Sequence, residues 1–203
     1  MSARKKISLY AVLGAILLFL GCNSLIAPLV YFAKPFGGRV IDAESLQPIE
    51  GAVVVAEWRP YYLLFVDRST PMKVVETVTD AQGNYSFPGW GPRLRLWTER
   101  LDVCDPELAV FKMGYKARLE VNERSRNTYV RASDWDGVEL ELEPFRGTPA
   151  ERLHEFEYIL SETAWDLQMP TRLGREMLKE SPLAVSAAKP FFDGVDRLTR
   201  KGP

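Results

Sequence analysis

The chain has 203 residues, 26 basic against 27 acidic side chains, 46% hydrophobic residues, two Cys and one His. This apolar content suffices for a core, while a mean hydropathy of −0.14 is too low for a multi-pass membrane protein. Balanced charge offers no clustered positive field for nucleic acid, and one His leaves little for a zinc enzyme or for His-dependent catalysis. The expectation is therefore a protein that is not an enzyme, with no catalytic residues, no metal and no cofactor.

Arg4, Lys5 and Lys6 precede an uncharged run from Ile7 to Leu20, the basic and apolar regions of an export signal. The run closes as Leu18-Phe19-Leu20-Gly21-Cys22, which resembles a bacterial lipoprotein cleavage box; that resemblance implies a signal peptide over 1–22 and a lipid on Cys22. Asn23 behind it resembles the sorting pattern of outer-membrane lipoproteins. A second reading takes 7–33 as one signal-anchor helix, because apolar residues resume at Leu25 and about 20 residues span a bilayer. Asn23, Ser24 and Pro28 interrupt that span. Both readings place the basic end in the cytoplasm and export the rest. Residues 1–22 hold three of the basic and none of the acidic side chains, so the remainder carries a net charge of −4. Neither reading leaves Cys104 a disulfide partner.

From Gly37 to Pro144 short alternating runs recur between turn residues, the pattern of a mainly β sandwich. The predicted strands are 38–41, 52–58, 63–66, 74–79, 85–88, 94–97, 107–112, 115–121 and 138–142. In the last, Val138, Leu140 and Leu142 alternate with Glu139, Glu141 and Glu143, so one face is buried and one is wet. Asp42 is placed to cap a turn that Pro48 closes, and Gly51 opens the strand carrying Val53 and Val55 on one face. Asp80 and Gly83 bracket a tight turn that sends Tyr85 and Phe87 to one side. Gly114 makes a further turn before Tyr115. A calcium role for Asp80, Gln82 and Asn84 lacks the acidic residue that ends a calcium loop; a turn explains all three.

Taken in order, Asp42, Pro48 to Ala52, Asp80 to Phe87, and Gly114 with Tyr115 resemble the carboxypeptidase regulatory-like domain, a transthyretin-like Greek-key sandwich. The resemblance covers 37–145 and implies about seven strands and an accessory module that folds, spaces and binds. Its departures are a long stretch from Arg59 to Met72 and an insertion from Gly89 to Pro106, where an individual function would sit. Trp58, Tyr61, Tyr62, Phe65, Trp90 and Trp97 crowd these stretches. They either fill the core or form a candidate binding patch with Arg59, Arg93 and Arg95. The transthyretin-fold hydrolase of 5-hydroxyisourate is excluded by inventory, since its several His residues and its Tyr-Arg-Gly-Ser terminus are missing. No Ser nucleophile elbow or phosphate-binding loop occurs.

Residues 148–203 read as a helical extension and tail. Thr148-Pro149-Ala150-Glu151 is a capping box, followed at helical spacing by Leu153, Phe156, Ile159, Leu160 and Leu167. This stripe docks on the sandwich or awaits a partner, with His154 beside it. A second helix is predicted over Thr171 to Glu180. Together these features predict a membrane-anchored protein on the periplasmic side of a bacterial cell envelope, binding an envelope protein or a polysaccharide and no nucleic acid. A subunit that completes an exported enzyme's site is the alternative.

Overall fold

Alternation of side chains about each strand is what organises the chain in the computed structural model, which describes residues 30–62, 71–94, 99–101, 104–123, 130–163 and 171–180. The protein is mainly β. Its strands are β1 (Val30–Ala33), β2 (Phe36–Asp42), β3 (Val53–Trp58), β4 (Pro60–Tyr62), β5 (Lys73–Val78), β6 (Asn84–Phe87), β7 (Trp90–Leu94), β8 (Glu99–Leu101), β9 (Glu107–Phe111), β10 (Arg118–Glu120), β11 (Val130–Arg131) and β12 (Glu139–Leu142). Two helices follow, α1 (Pro149–Thr163) and α2 (Thr171–Glu180).

Two sheets stack face to face, β12-β2-β6 against β10-β9-β3-β5. Val40, Leu140, Leu142, Tyr85 and Phe87 of the first meet Val54, Ala56, Trp58, Leu108 and Val110 of the second in one core. The predicted alternation in 138–142 is realised: Leu140 and Leu142 are buried, Glu139 and Glu141 exposed. Every residue of β3 is buried, because its opposite face is also covered. There Val53, Val55, Ala109 and Phe111 pack against Phe156 and Ile159 of α1 and Leu173 and Met177 of α2. The helical extension therefore docks on the outer face of the β3 sheet as a third layer. Its start is a working capping box: the Glu151 carboxylate accepts from Thr148 N and Oγ1 at 2.6 and 2.9 Å, and Glu151 N donates back to Thr148 Oγ1.

The predicted turns hold as drawn. Asp42 Oδ1 accepts the Glu44 and Ser45 amides at 2.9 and 2.7 Å, and these bonds, led by Ser45, bring its carboxyl down to about 2. Asp80 Oδ1 accepts Gln82 N and Asn84 N, the Asn84 amide being the main cause of its lowered value. Gly83 turns this corner at φ +77°, where a Cβ would stand 2.5 Å from the Val40 carbonyl oxygen.

Five strands exceed the sequence expectation. β1, β4, β7, β8 and β11 are two to five residues long and pair with segments distant in the chain. Val30–Ala33, which the alternative reading of the N-terminus places at the end of a signal-anchor helix over 7–33, is a strand whose Tyr31 and Ala33 join the core. It pairs with β7 antiparallel and with β11 parallel, and this small sheet covers the end of the sandwich where Phe36, Trp58 and Trp90 meet. Cys22 and the rest of 1–29 lie outside the described residues, as do 63–70, 95–98 and 181–203. Among the described residues no helix is long and apolar enough to cross a membrane.

Candidate functional site

Alternation along β3 places Val53, Val55 and Glu57 on the face that turns toward the helices. α1 and α2 cover the two valines, and Glu57 continues the same face. Its neighbour across the ladder is Glu107 of β9, so two carboxylates stand directly opposite each other, an arrangement that is unfavourable without a cation. Arg59, two residues on and therefore on the same face, supplies that cation. Its Nε is 2.7 Å from Glu57 Oε1 and 3.6 Å from Glu107 Oε2, and its terminal NH2 donates to Glu57 Oε2 at 3.3 Å. The Arg59 amide in turn donates to Asp105 Oδ2 at 3.0 Å, which fixes the backbone at this corner.

The guanidinium of Arg59 thus faces both carboxylates of the pair. Burial pushes the Glu57 carboxyl up to about 7 against the opposing pull of Arg59, so at neutral pH it exists both as acid and as carboxylate. Beside the cluster lies a cavity of about 250 Å³. Val55, Ala109 and Leu119 floor it, Glu57 and Glu107 close one end, and Tyr158 of α1 stands at its wall. Glu120 also lines it but is ion-paired to Arg118. The arrangement can hold an aliphatic stem against the floor and a hydrogen-bond donor or cation at the acidic end.

Of the aromatic residues read as filling the core or forming a patch, the structure describes the side chains of Trp58 and Trp90, and both pack against the core. Trp58 has 0% exposure and packs edge-on against Trp90, ring centroids 5.5 Å apart. Arg59 is buried in the ion cluster. Both leave the candidate patch because β3 is covered on both faces. Trp90 is half-buried behind Trp58, and Arg93 donates to the Met72 carbonyl. Tyr61 and Tyr62 are placed as backbone of β4, while Phe65, Arg95 and Trp97 lie outside the described residues. Gly51, Gly83 and Gly114 all take positive φ, and His154 is an exposed helix residue. Glu57 and Glu107 escaped the sequence reading. Their signal was present: Glu57 and Arg59 continue the alternation of Val53 and Val55, so two opposite charges share one face of a buried strand.

A second buried cation belongs to the scaffold. Arg152 of α1 donates to the Tyr115 carbonyl at 2.7 Å, pairs with Glu155 and with Glu180 of α2, and lies 4.5 Å from the Phe145 ring centre. It ties both helices to the end of the sheet. Among the described residues no group of His, Cys, Asp and Glu is arranged to hold a metal ion.

No family model matches the chain, and no curated protein matches it. Among solved structures it is similar to a 9R-lipoxygenase from Cyanothece PCC8801, at 11% identity and a TM-score of 0.28, over 76% of this chain and 25% of that one. The chain spans about a quarter of the lipoxygenase's length. That neighbour is an enzyme, and on this finding the expectation that the chain is not an enzyme is withdrawn. A likeness of this degree assigns neither a reaction nor a fold.

Proposed function

We propose that the chain is a membrane-anchored protein of a bacterial cell envelope whose β domain binds a basic side chain of an envelope protein in the acidic cavity beside β3. The observation that carries this reading is the pairing of an apolar floor, Val55, Ala109 and Leu119, with two facing carboxyl groups, Glu57 and Glu107, at the lining of one cavity. A Lys or Arg side chain is built to the same plan, an aliphatic stem ending in a cation. Trp58 and Arg59 are interior and take no part in binding.

The basic and apolar N-terminal segment and the cleavage-box resemblance at Cys22 support the anchor. The resemblance to a carboxypeptidase regulatory-like Greek-key sandwich is supported by the turns at Asp42, Asp80 and Gly114, which stand between strands in the family's order.

Photo-crosslinking tests the binding reading. A photoreactive amino acid encoded in place of Tyr158 should capture an envelope protein through a Lys- or Arg-bearing segment, and Glu107→Gln should abolish the capture. Equal capture from position 46, which is exposed at the far end of the sandwich, would overturn it.

A further inference from the structure

The small sheet β11-β1-β7 has two unlike faces. Inward, Tyr31, Ala33, Trp90 and Arg131 close the end of the core. Outward, the register sets Val30 opposite Leu94 and Phe32 beside Val130, with Gly91 against the Phe32 ring. Every side chain on this outer face is apolar. Phe32 is 41% and Leu94 79% exposed, and no described element covers them. Lys34 continues the alternation of Val30 and Phe32 and is also exposed.

Chain continuity identifies what covers this face. The apolar N-terminal segment runs directly into Val30, and the eight residue steps from Cys22 to Val30 reach at most about 28 Å when fully extended. We infer that the outer face of β11-β1-β7 rests on the lipid surface that holds the N-terminal segment, with Phe32 and Leu94 entering the interface and Lys34 meeting anionic headgroups. This inference rests on the membrane-anchored reading. Contact with lipid removes exposed apolar area from water, and an adjacent cation adds attraction to an anionic surface. The sandwich would then stand on its β1 end, with the Asp42, Asp80 and Gly114 turns pointing away from the bilayer.

The test uses the full chain in vesicles of phosphatidylethanolamine and phosphatidylglycerol, with an environment-sensitive fluorescent amino acid encoded in place of Leu94, Phe32 or, as a control, Met113. Met113 is exposed at the opposite end of β9 from Glu107. Nitroxide-labelled lipid should quench the probes at 94 and 32 about twofold and leave 113 unchanged. Leu94→Glu should reduce quenching at 32 without unfolding the core. Flotation separates the two readings. If the chain floats with vesicles and position 94 is unquenched, the docking inference fails while the anchor stands. If the chain does not float, the anchor fails and the inference with it. A blue shift at 94 that grows with protein concentration in lipid-free detergent would assign the face to a second copy and overturn the lipid reading.

Discussion

Glu57 and Glu107 face each other across the β3–β9 ladder, and a single guanidinium, that of Arg59, stands 2.7 Å from one and 3.6 Å from the other. Burial, against the pull of Arg59, raises the Glu57 carboxyl from its ordinary 4.5 to about 7 in the folded protein. Between these values the folded protein keeps a proton that the unfolded chain has released. Its contribution therefore falls as pH rises from about 4.5 to about 7 and is level above that, a loss of about 3 kcal/mol at ~1.36 kcal/mol per unit. Urea unfolding at pH 5 and pH 8 should show Glu57→Gln gaining on the wild type at the higher pH. Parallel profiles for the two proteins would show that Glu57 is not the titrating group.

Arg59→Met should be far more damaging at pH 8 than at pH 5. At the higher pH it removes the guanidinium that pairs with both facing carboxylates, at a cost of about 3 to 5 kcal/mol for a broken buried pair. At pH 5 Glu57 is protonated and the cost shrinks. A pH-independent loss in the same urea experiments would instead assign Arg59 a packing role.

Trp58→Ala should cost about 3 to 5 kcal/mol, because the indole is fully interior between Phe36 and Trp90. Thermal unfolding of the variant measures it. A folded variant of unchanged stability would contradict the central position of this side chain.

Glu76 of β5 reaches across to the start of α2, where its carboxylate accepts Arg172 N at 3.0 Å and Leu173 N at 3.1 Å. It does for this helix what a local capping residue does elsewhere. Glu76→Ala should therefore cost about 1 kcal/mol and raise amide exchange in α2 more than in α1. Equal exchange in both helices would mean that the contact does not hold α2.

Gly83→Ala should destabilise by about 1 to 3 kcal/mol, since it combines a positive φ with a backbone collision at Val40. Met113→Ala, an exposed site in a turn, serves as the neutral comparison in the same denaturant series.

Much of this fold is legible wherever a period repeats long enough to be read. The alternation in 138–142, the Tyr85 and Phe87 pair, the Thr148 capping box and the helix over Thr171 to Glu180 all occur as read, because each is decided by neighbours in sequence. β1 is not legible in the sequence, because four residues of apolar and aromatic character fit a membrane helix as well as a strand. What makes Val30–Ala33 a strand is the presence of β7 and β11 on either side, segments about 60 and 100 residues away in the chain. The candidate site was hidden for the same reason: Glu57 and Glu107 become opposite only when β3 and β9 pair.

By itself the sequence determined where the turns fall, which strand faces are apolar, where the helices begin, and the basic and apolar character of the N-terminal segment. These follow from local stereochemistry and from periods of two and 3.6 residues. Only the tertiary structure decided that Trp58 and Arg59 are interior and that two carboxylates share one arginine beside a cavity. It also decided that a small sheet leaves Phe32 and Leu94 uncovered by any described element where the N-terminal segment enters. Burial and charge pairing depend on which distant strands become neighbours, and that is settled by the packing of the layers.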